Sequence, residues 1–421
     1  MARAKITGGY VGAEDNGWLV AIVGYVFLAI FLGYYPYFHD PSYPLVGTDI
    51  YWRNALPAER VVSSSSWLIA ATGERHPLVV LAIAVVSNLL GLGVESLLRF
   101  AYVGLILAFG GAVFLLTFVG SRSKTLASFS ALMTTVSAPT AAGIYTGTMA
   151  EWVALIVWIL SLGLLAVNKE NGLRRWALTA LGLGFGSVVV AFLHPWTWIA
   201  MMLSFIVYAL VVVILRLRGV HRDIGSVIIA ILFNLIALTL SLVFLWKTQG
   251  WRVASAFSLV QDAFGSKYFG LGSWEIVVFF SQIWSQFLNP VVLVLSILGI
   301  LVVVQRRDRL AAIVLAWLMA ACVTNVVAAP MDYDPLLVGR GETQIFRAMF
   351  LIPFQIPAAA GLLLLKTKLK DVLGKTARSQ GVKLVVGIVV GVVFIAILNG
   401  AFRALYPLLT DPHNYPNPFE P

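Results

Sequence analysis

The sequence predicts an all-α, polytopic transmembrane protein with about eleven spanning helices. It is 60% hydrophobic and only 11% charged, whereas soluble domains are about 25% charged. Apolar runs long enough to cross a ~30 Å hydrocarbon core recur along the chain, separated by short Lys and Arg clusters typical of membrane topology signals rather than of nucleic-acid binding. The runs lie near 18–38, 100–120, 126–146, 149–167, 176–193, 196–216, 224–246, 290–305, 310–329, 346–365 and 383–405.

The distribution of charge predicts the orientation. The first run follows Arg3 and Lys5, shows no cleavage site, and is interpreted as a retained anchor. If the apolar stretch 77–94 stays on the outer side as a re-entrant or interfacial helix, 19 of the 29 lysines and arginines fall on the side of Arg3. By the positive-inside rule, the N-terminus is then cytoplasmic and the C-terminus extracytoplasmic. The alternative is that 77–94 crosses and another run, such as 126–146, does not.

The interpretation treats residues 1–421 as a single integral membrane domain with long segments on one face. Ordered loops on a helical scaffold are where function is usually found, because lipid excludes irregular backbone from the membrane core. The expected outer segments are the first loop 39–99, an interfacial segment 247–289, a loop 331–345 and a Pro-rich tail 407–421.

The first outer loop carries the most informative residues. Asp40 and Asp49 lie shortly after the first apolar run, and Tyr51 and Trp52 follow. A carboxylate serves as a general base or holds a sugar hydroxyl, while aromatic rings offer flat surfaces for sugar stacking. The alternative is an interfacial aromatic belt, with Asp40 capping a helix.

This arrangement resembles the GT-C glycosyltransferases, multipass membrane enzymes that take a sugar from a polyprenyl-phosphate or polyprenyl-diphosphate lipid. The resemblance covers about residues 18–366. Its motifs are an aspartate after the first membrane helix (Asp40 or Asp49), Arg75-His76-Pro77, Val94 to Arg99, Ala138-Pro139, Tyr145 to Leu155, and Arg347 to Phe354.

The resemblance implies a membrane glycosyltransferase, transferring a hexose or pentose, with Asp49 or Asp40 as the catalytic residue. It implies that Arg347 and Arg340 bind the donor phosphate, since guanidinium matches phosphate oxygens bidentately. The alternative for such arginines is a snorkelling anchor at a helix end. The residues expected to bind the acceptor or sugar are Tyr51, Trp52, Glu151 and His76.

Cofactors and partners follow from the same interpretation. The expected partners are membrane lipid and a polyprenyl-phosphate sugar donor, with no nucleic acid. No cofactor is indicated with certainty, and a divalent metal is left open because the first loop lacks an Asp-x-Asp pattern, which occurs at Asp332-Tyr333-Asp334.

Other functions remain open at this point. The sequence departs from oligosaccharyltransferase catalytic subunits in two ways. It contains no Trp-Trp-Asp-Tyr-Gly motif, and its pattern predicts no large soluble C-terminal domain. The alternatives are a secondary transporter and a non-catalytic scaffold subunit. His194, in a tight turn before Pro195 and Trp196, is expected to be structural.

Overall fold

The structure is a computed structural model that describes residues 17–47, 50–74, 76–167, 173–214, 224–236, 289–306, 308–331, 351–374 and 379–410. These residues form helices and connecting turns, with no β-strand among them. The helices are α1 (Gly17–His39), α2 (Leu56–Ser63), α3 (Trp67–Thr72), α4 (Pro77–Leu90), α5 (Val94–Arg99), α6 (Ala101–Ser121), α7 (Lys124–Thr135), α8 (Ala138–Thr146), α9 (Met149–Val167), α10 (Leu173–Leu193), α11 (Pro195–Ile214), α12 (Ile224–Ile236), α13 (Pro290–Arg306), α14 (Arg309–Met331), α15 (Gln355–Gly374) and α16 (Ser379–Thr410).

Within these ranges, five helices are long and apolar enough to cross a membrane. They are Gly17–Phe38, Ala101–Ser121, Met149–Val167, Trp176–Leu193 and Thr197–Ile214. Each coincides with a run identified in the sequence, and shorter apolar helices accompany them in α4, α12, α13, α14 and α16. The protein is therefore an all-α polytopic membrane protein, as predicted.

Helices α1 and α6 run antiparallel, which defines two ends of the helical bundle. A Cβ placed on Gly33 would lie 2.7 Å from the backbone nitrogen of Val103, so the two backbones almost touch there. The rings of Tyr34 and Phe100 stack at 4.6 Å where α1 ends and α6 is about to begin. We call this end of the bundle the loop end and the opposite end the far end.

Two lysines from different helices, Lys124 and Lys366, lie at the far end. Gly17 at the start of α1 lies 4.0 Å, measured from its ideal Cβ position, from Nζ of Lys366. Nζ of Lys124 lies 5.8 Å from the ring centroid of Trp18, also at the start of α1. The grouping is the one that the charge pattern predicts; that the far end faces the cytoplasm stays a prediction.

The described residues of the segment 40–100 form short helices and turns at the loop end. His76, directly before α4, contacts Leu193 at the end of α10, and Phe100, after α5, stacks on Tyr34. The chain therefore leaves and returns at the same end. At 1.5 Å per residue the 14-residue α4 is about 21 Å long, which is shorter than a ~30 Å core; that it stays on one side of the membrane remains a prediction.

The expected continuous run 126–146 is interrupted. Helix α7 ends at Thr135 and α8 begins at Ala138, with Pro139 in its first turn. Proline has no N–H to continue the preceding helix but fits the start of a new one. Thr134 lies beside Gly110, near the middle of α6, so the interruption falls at mid-depth in the bundle.

The run expected near 346–365 is not a continuous helix in its described part, which begins at Leu351. In the described part, Leu351 to Phe354 are buried and non-helical, and α15 starts at Gln355. Pro353 disfavours helical geometry in the residue before it. Trp317 Nε1 donates to the Leu351 carbonyl at 2.8 Å, and Ser296 Oγ donates to that of Phe354 at 3.1 Å, so these carbonyls are satisfied inside the protein.

Candidate functional site

A small cleft opens at the loop end where three separate parts of the chain meet. Its cavity volume is about 10 Å³, room for about one water molecule. Its walls come from the first outer loop, from the residue before α4 and from the turn between α8 and α9. The lining residues are Arg53, Asn54, His76, Thr148, Met149, Ala150 and Glu151.

The first outer loop is held against the α8–α9 turn by two glycines. Gly47 has φ +111° and Gly147 has φ +65°, both in the left-handed region that favours glycine. A Cβ on Gly47 would lie 2.8 Å from the Cα atom of Gly147, and a Cβ on Gly147 would lie 2.9 Å from the Ile50 nitrogen. The side-chain amide of Asn54 also donates to the Gly147 carbonyl at 3.4 Å. The two segments are thus fixed in backbone contact.

The loop is secured on its other flank by two tyrosines. The backbone N–H of Val46 donates to the Tyr37 hydroxyl at 3.2 Å, and the Tyr102 hydroxyl donates to the Val46 carbonyl. Both tyrosine side chains are buried. The chain therefore enters the site region along a defined path from α1.

A π-helical turn, Tyr51–Ala55, continues the loop. π-helical turns are rare and occur frequently at functional sites. It brings Arg53 and Asn54 to the cleft, whereas Tyr51 and Trp52 are exposed and pack edge-to-face with ring centroids 5.2 Å apart. The two predicted sugar-stacking residues are therefore accessible and lie next to the cleft-lining residues in sequence.

Glu151 and His194 form a buried pair beside the cleft. Glu151 is in the first turn of α9, where the helix dipole favours a carboxylate. The Nε2 atom of His194 lies 2.8 Å from Oε1 of Glu151, and their side chains are 7% and 3% exposed. Because burying an unpaired carboxylate is costly, this contact stabilises Glu151 at its position.

The other ring nitrogen of His194, Nδ1, contacts Thr197 in the first turn of α11. The backbone N–H of Thr197 donates to Nδ1 at 3.3 Å, and the Thr197 hydroxyl lies 2.9 Å from the same atom. His194 therefore acts as an N-cap of α11. Since Nδ1 accepts, a neutral ring carries its proton on Nε2 and donates it to Glu151.

His76 approaches the same junction from the first outer loop. Its Nδ1 lies 3.2 Å from the carbonyl oxygen of Leu193, and its ring centroid lies 6.2 Å from that of His194. A carbonyl can only accept, so Nδ1 is the donor and the Nε2 of a neutral ring is an acceptor. The junction thus favours opposite tautomers in the two histidines.

Asp40 lies outside this cleft lining. It is exposed, and its Oδ1 accepts from the Ser42 backbone N–H at 2.8 Å and from the Ser42 hydroxyl at 2.6 Å. This is an Asx-type turn at the end of α1. Arg99 donates to the neighbouring Pro41 carbonyl and lies over the Tyr37 ring at 5.6 Å.

Three predicted site residues, Asp49, Arg340 and Arg347, lie outside the described residues. The same holds for Arg75, for the segment 247–288 and for residues 411–421 of the expected tail, while 407–410 belong to α16. Of the predicted residues that are described, the structure brings His76 and Glu151 together and places Tyr51 and Trp52 on the adjoining π-helical turn.

Sequence reasoning missed Arg53, Asn54 and Thr148 as cleft residues and gave His194 a purely structural part. Arg53 and Asn54 directly follow the predicted Tyr51 and Trp52 in the sequence, which is the signal that could have found them. No spacing in the sequence links His194 to Glu151, because their contact depends on the antiparallel packing of α9 and α10. Among the described residues, no group of three or more His, Cys, Asp and Glu is arranged to hold a metal ion.

The fold and the cleft define a polytopic helical membrane protein with a polar site at one end. No protein-family model and no curated protein matches the chain. Among solved structures, it is similar to the oligosaccharyltransferase of Archaeoglobus fulgidus in its apo form, with 14% identity and a TM-score of 0.48. The match covers 94% of this chain and 55% of that one, so this chain spans about half of that structure's length. A likeness of this degree assigns no activity.

Proposed function

We propose that the protein is a membrane glycosyltransferase of the GT-C type, moving a sugar from a polyprenyl-phosphate lipid to an acceptor on the extracytoplasmic side. One observation carries the proposal. Side chains from the first outer loop, the α8–α9 turn and the residue before α4 converge in one cleft at the loop end. Glu151, His76 and Arg53 supply acid–base and hydrogen-bonding groups there.

The proposed base is Asp49. Its neighbours in the chain, Gly47 and Ile50, contact Gly147 at the start of the cleft-lining turn, and consecutive Cα atoms are only 3.8 Å apart. In the proposed step, the acceptor O–H proton goes to the carboxylate. The acceptor oxygen bonds to the sugar C1, and the C1–O bond to phosphate breaks with its electron pair leaving on the phosphate.

The proposed partners of the leaving phosphate are Arg340 and Arg347. Arginine stays charged and donates two parallel hydrogen bonds to phosphate oxygens, so it stabilises the negative charge that develops as the sugar departs. A lipid donor brings its leaving group with it, and the proposed reaction needs no nucleotide at the site.

The cleft accommodates one polar group rather than a whole sugar ring or a lipid tail, because its volume of about 10 Å³ is close to what one water molecule needs. The lining amide, hydroxyl and carboxylate groups of Asn54, Thr148 and Glu151 match a hydroxyl group. We therefore assign the cleft to one hydroxyl of the acceptor.

A matched pair of aspartate variants tests the proposal. Asp49→Asn removes the base and is expected to lower sugar transfer from a polyprenyl-phosphate donor by about 10²–10⁴-fold. Asp40→Asn keeps an oxygen that can accept from Ser42 and is expected to transfer sugar at close to the wild-type rate. Arg347→Ala is expected to raise the KM for the donor. Wild-type rates in both aspartate variants would remove Asp49 from catalysis.

A secondary transporter is the second candidate, favoured by the interruption between α7 and α8. Irregular backbone at mid-depth in the bundle is typical of transporter binding sites. The described groups at the interruption, Thr134, Ser137 and Thr140, are hydroxyls that bond locally. The ionisable cluster lies instead at the loop end, so we prefer the transferase. Solute uptake by proteoliposomes without any sugar transfer would reverse this preference.

A further inference from the structure

We propose that His194 is a positioning residue that holds the Glu151 carboxylate at the cleft, where Glu151 accepts a hydrogen bond from a hydroxyl of the acceptor. This inference rests on the proposed function. It goes further by assigning the contact with the acceptor to Glu151. It also assigns the orientation of the Glu151 carboxylate to His194, at the junction of α10 and α11.

The geometry uses both nitrogens of one ring. Nδ1 is tied to the start of α11 through Thr197, so the ring cannot turn without losing the helix cap. Nε2 lies 2.8 Å from Glu151. The ring therefore connects a fixed backbone position to a carboxylate on α9.

Helix capping alone accounts for only half of this arrangement. Capping requires an acceptor at the position of Nδ1, which asparagine, serine or aspartate would supply equally well. It does not require a donor on the opposite side of the ring, aimed at a carboxylate that is 3% exposed. The Nε2 contact thus concerns Glu151, which lines the cleft.

The surroundings favour a hydroxyl-bearing ligand over a phosphate. Glu151 is negatively charged when ionised and would repel a phosphate at close range. A carboxylate accepts from hydroxyls, and its bonds to such donors are among the stronger hydrogen bonds in proteins. With Asn54 and Thr148 in the same lining, the cleft offers both acceptors and donors to one hydroxyl group.

Two substitutions of His194 distinguish its role as the N-cap of α11 from its role in positioning Glu151. His194→Asn supplies an acceptor for the cap but does not reach Glu151. His194→Gln places an amide N–H near the position of Nε2 and is a poorer cap. Loss of one hydrogen bond to a charged group predicts a KM for the acceptor about 10–100-fold higher in His194→Asn, at near-wild-type Tm. His194→Gln is expected to show the reverse, a lower Tm and a KM close to wild type.

The assay uses purified protein, a farnesyl-phosphate-linked radiolabelled hexose as donor and an octyl glycoside as acceptor. Glu151→Gln is the matched comparison and should raise the KM for the acceptor at least as far as His194→Asn, since it removes the charge of the carboxylate that is proposed to bind the acceptor hydroxyl. A wild-type KM in a folded His194→Asn variant overturns the inference. Equal Tm and equal KM for the Asn and Gln variants overturn it as well.

Nitrogen-15 histidine NMR gives a readout that does not depend on sugar transfer. We expect the His194 signal to report a proton on Nε2, and to change in Glu151→Gln but not in Asp49→Asn. A proton on Nδ1 alone would contradict the hydrogen bond from His194 Nε2 to Glu151. If the wild-type protein shows the Nε2 proton but transfers no sugar, the proposed function and the acceptor-binding role of Glu151 are both rejected. The hydrogen bond between His194 and Glu151 is then still confirmed.

Discussion

Gly47 and Gly147 place the first outer loop on the turn that carries Glu151. Both have positive φ, and at each the neighbouring chain occupies the space that a Cβ would need. A side chain at either position would require a strained backbone and would push the two segments apart. The position of the cleft therefore depends on two residues with no side chain.

Replacement of Gly47 by alanine is predicted to destabilise the protein by about 1–3 kcal/mol and to lower sugar transfer. The new Cβ would fall 2.5 Å from the Tyr102 hydroxyl. Thermal unfolding of the detergent-solubilised protein measures the effect on stability. Gly104→Ala is the control, because nothing lies within 4 Å of its Cβ position on α6, and alanine there should be neutral or stabilising. Equal Tm values for the two variants would contradict the account.

The sequence predicted the residue types at the site better than their arrangement. His76 and Glu151 could be singled out because each borders an apolar run, where functional groups of membrane proteins gather. Their convergence could not be predicted, since it depends on how the 40–100 segment folds back onto the α10–α11 junction. His194 was given a structural role because the sequence shows nothing of the Nε2 contact with Glu151.

At the scale of elements, apolar length predicted the five long apolar helices of the described residues and failed where proline interrupts a run. The stretch 126–146 holds no charged residue but contains Thr134, Thr135, Ser137 and Pro139. It was therefore the run that does not cross in the alternative topology, but its division into α7 and α8 was not predicted. Pro139 is present in the sequence, but a proline in an apolar run can end a helix, kink it or leave it nearly straight, depending on its neighbours. The same ambiguity applies to Pro353, which precedes the start of α15 at Gln355.

Helices α13 and α15 pack at backbone contact through Gly299 and Gly361. A Cβ on Gly361 would lie 2.0 Å from the Leu295 carbonyl oxygen, and one on Gly299 would lie 1.7 Å from that of Pro357. Small residues at helix contacts are typical of membrane proteins, because close approach increases van der Waals packing where the hydrophobic effect is absent.

Gly361→Ala is accordingly predicted to separate α13 from α15 and to lower Tm, at a cost of about 1–3 kcal/mol for overpacking. Gly387→Ala, on α16 with nothing within 4 Å of its Cβ position, is the matched control and should leave Tm unchanged or raised. Differential scanning fluorimetry of both variants decides the matter. A Gly361→Ala protein as stable as the control would show that the contact relaxes without cost.

For the whole molecule, the charge pattern and the packing agree on which segments share an end. The chain leaves α1 and enters α6 at the loop end, and Lys124 and Lys366 lie near the start of α1 at the far end. The charge argument required 77–94 to remain on one side, and α4, with 14 residues, is shorter than a hydrocarbon core; that it does not cross remains a prediction. Which end faces the cytoplasm is a separate prediction.

Cysteine labelling tests that orientation. In a Cys322→Ala background, Ser64→Cys is predicted to react with a membrane-impermeant maleimide in intact cells, because residues 39–99 are expected outside. Ser379→Cys is predicted to react only after permeabilisation, because the adjoining basic residues 366–383 are expected inside. Labelling of Ser379→Cys in intact cells would invert the topology and remove the cleft from the extracytoplasmic face.

The most direct test of the central claim is sugar transfer by the purified wild-type protein in nanodiscs containing a polyprenyl-phosphate-linked radiolabelled hexose. The account predicts label on a hydroxyl-bearing acceptor with no nucleotide sugar present, together with release of polyprenyl phosphate and loss of both products in Asp49→Asn. Transfer that requires a nucleotide sugar, or an Asp49→Asn protein that transfers at the wild-type rate, would contradict it.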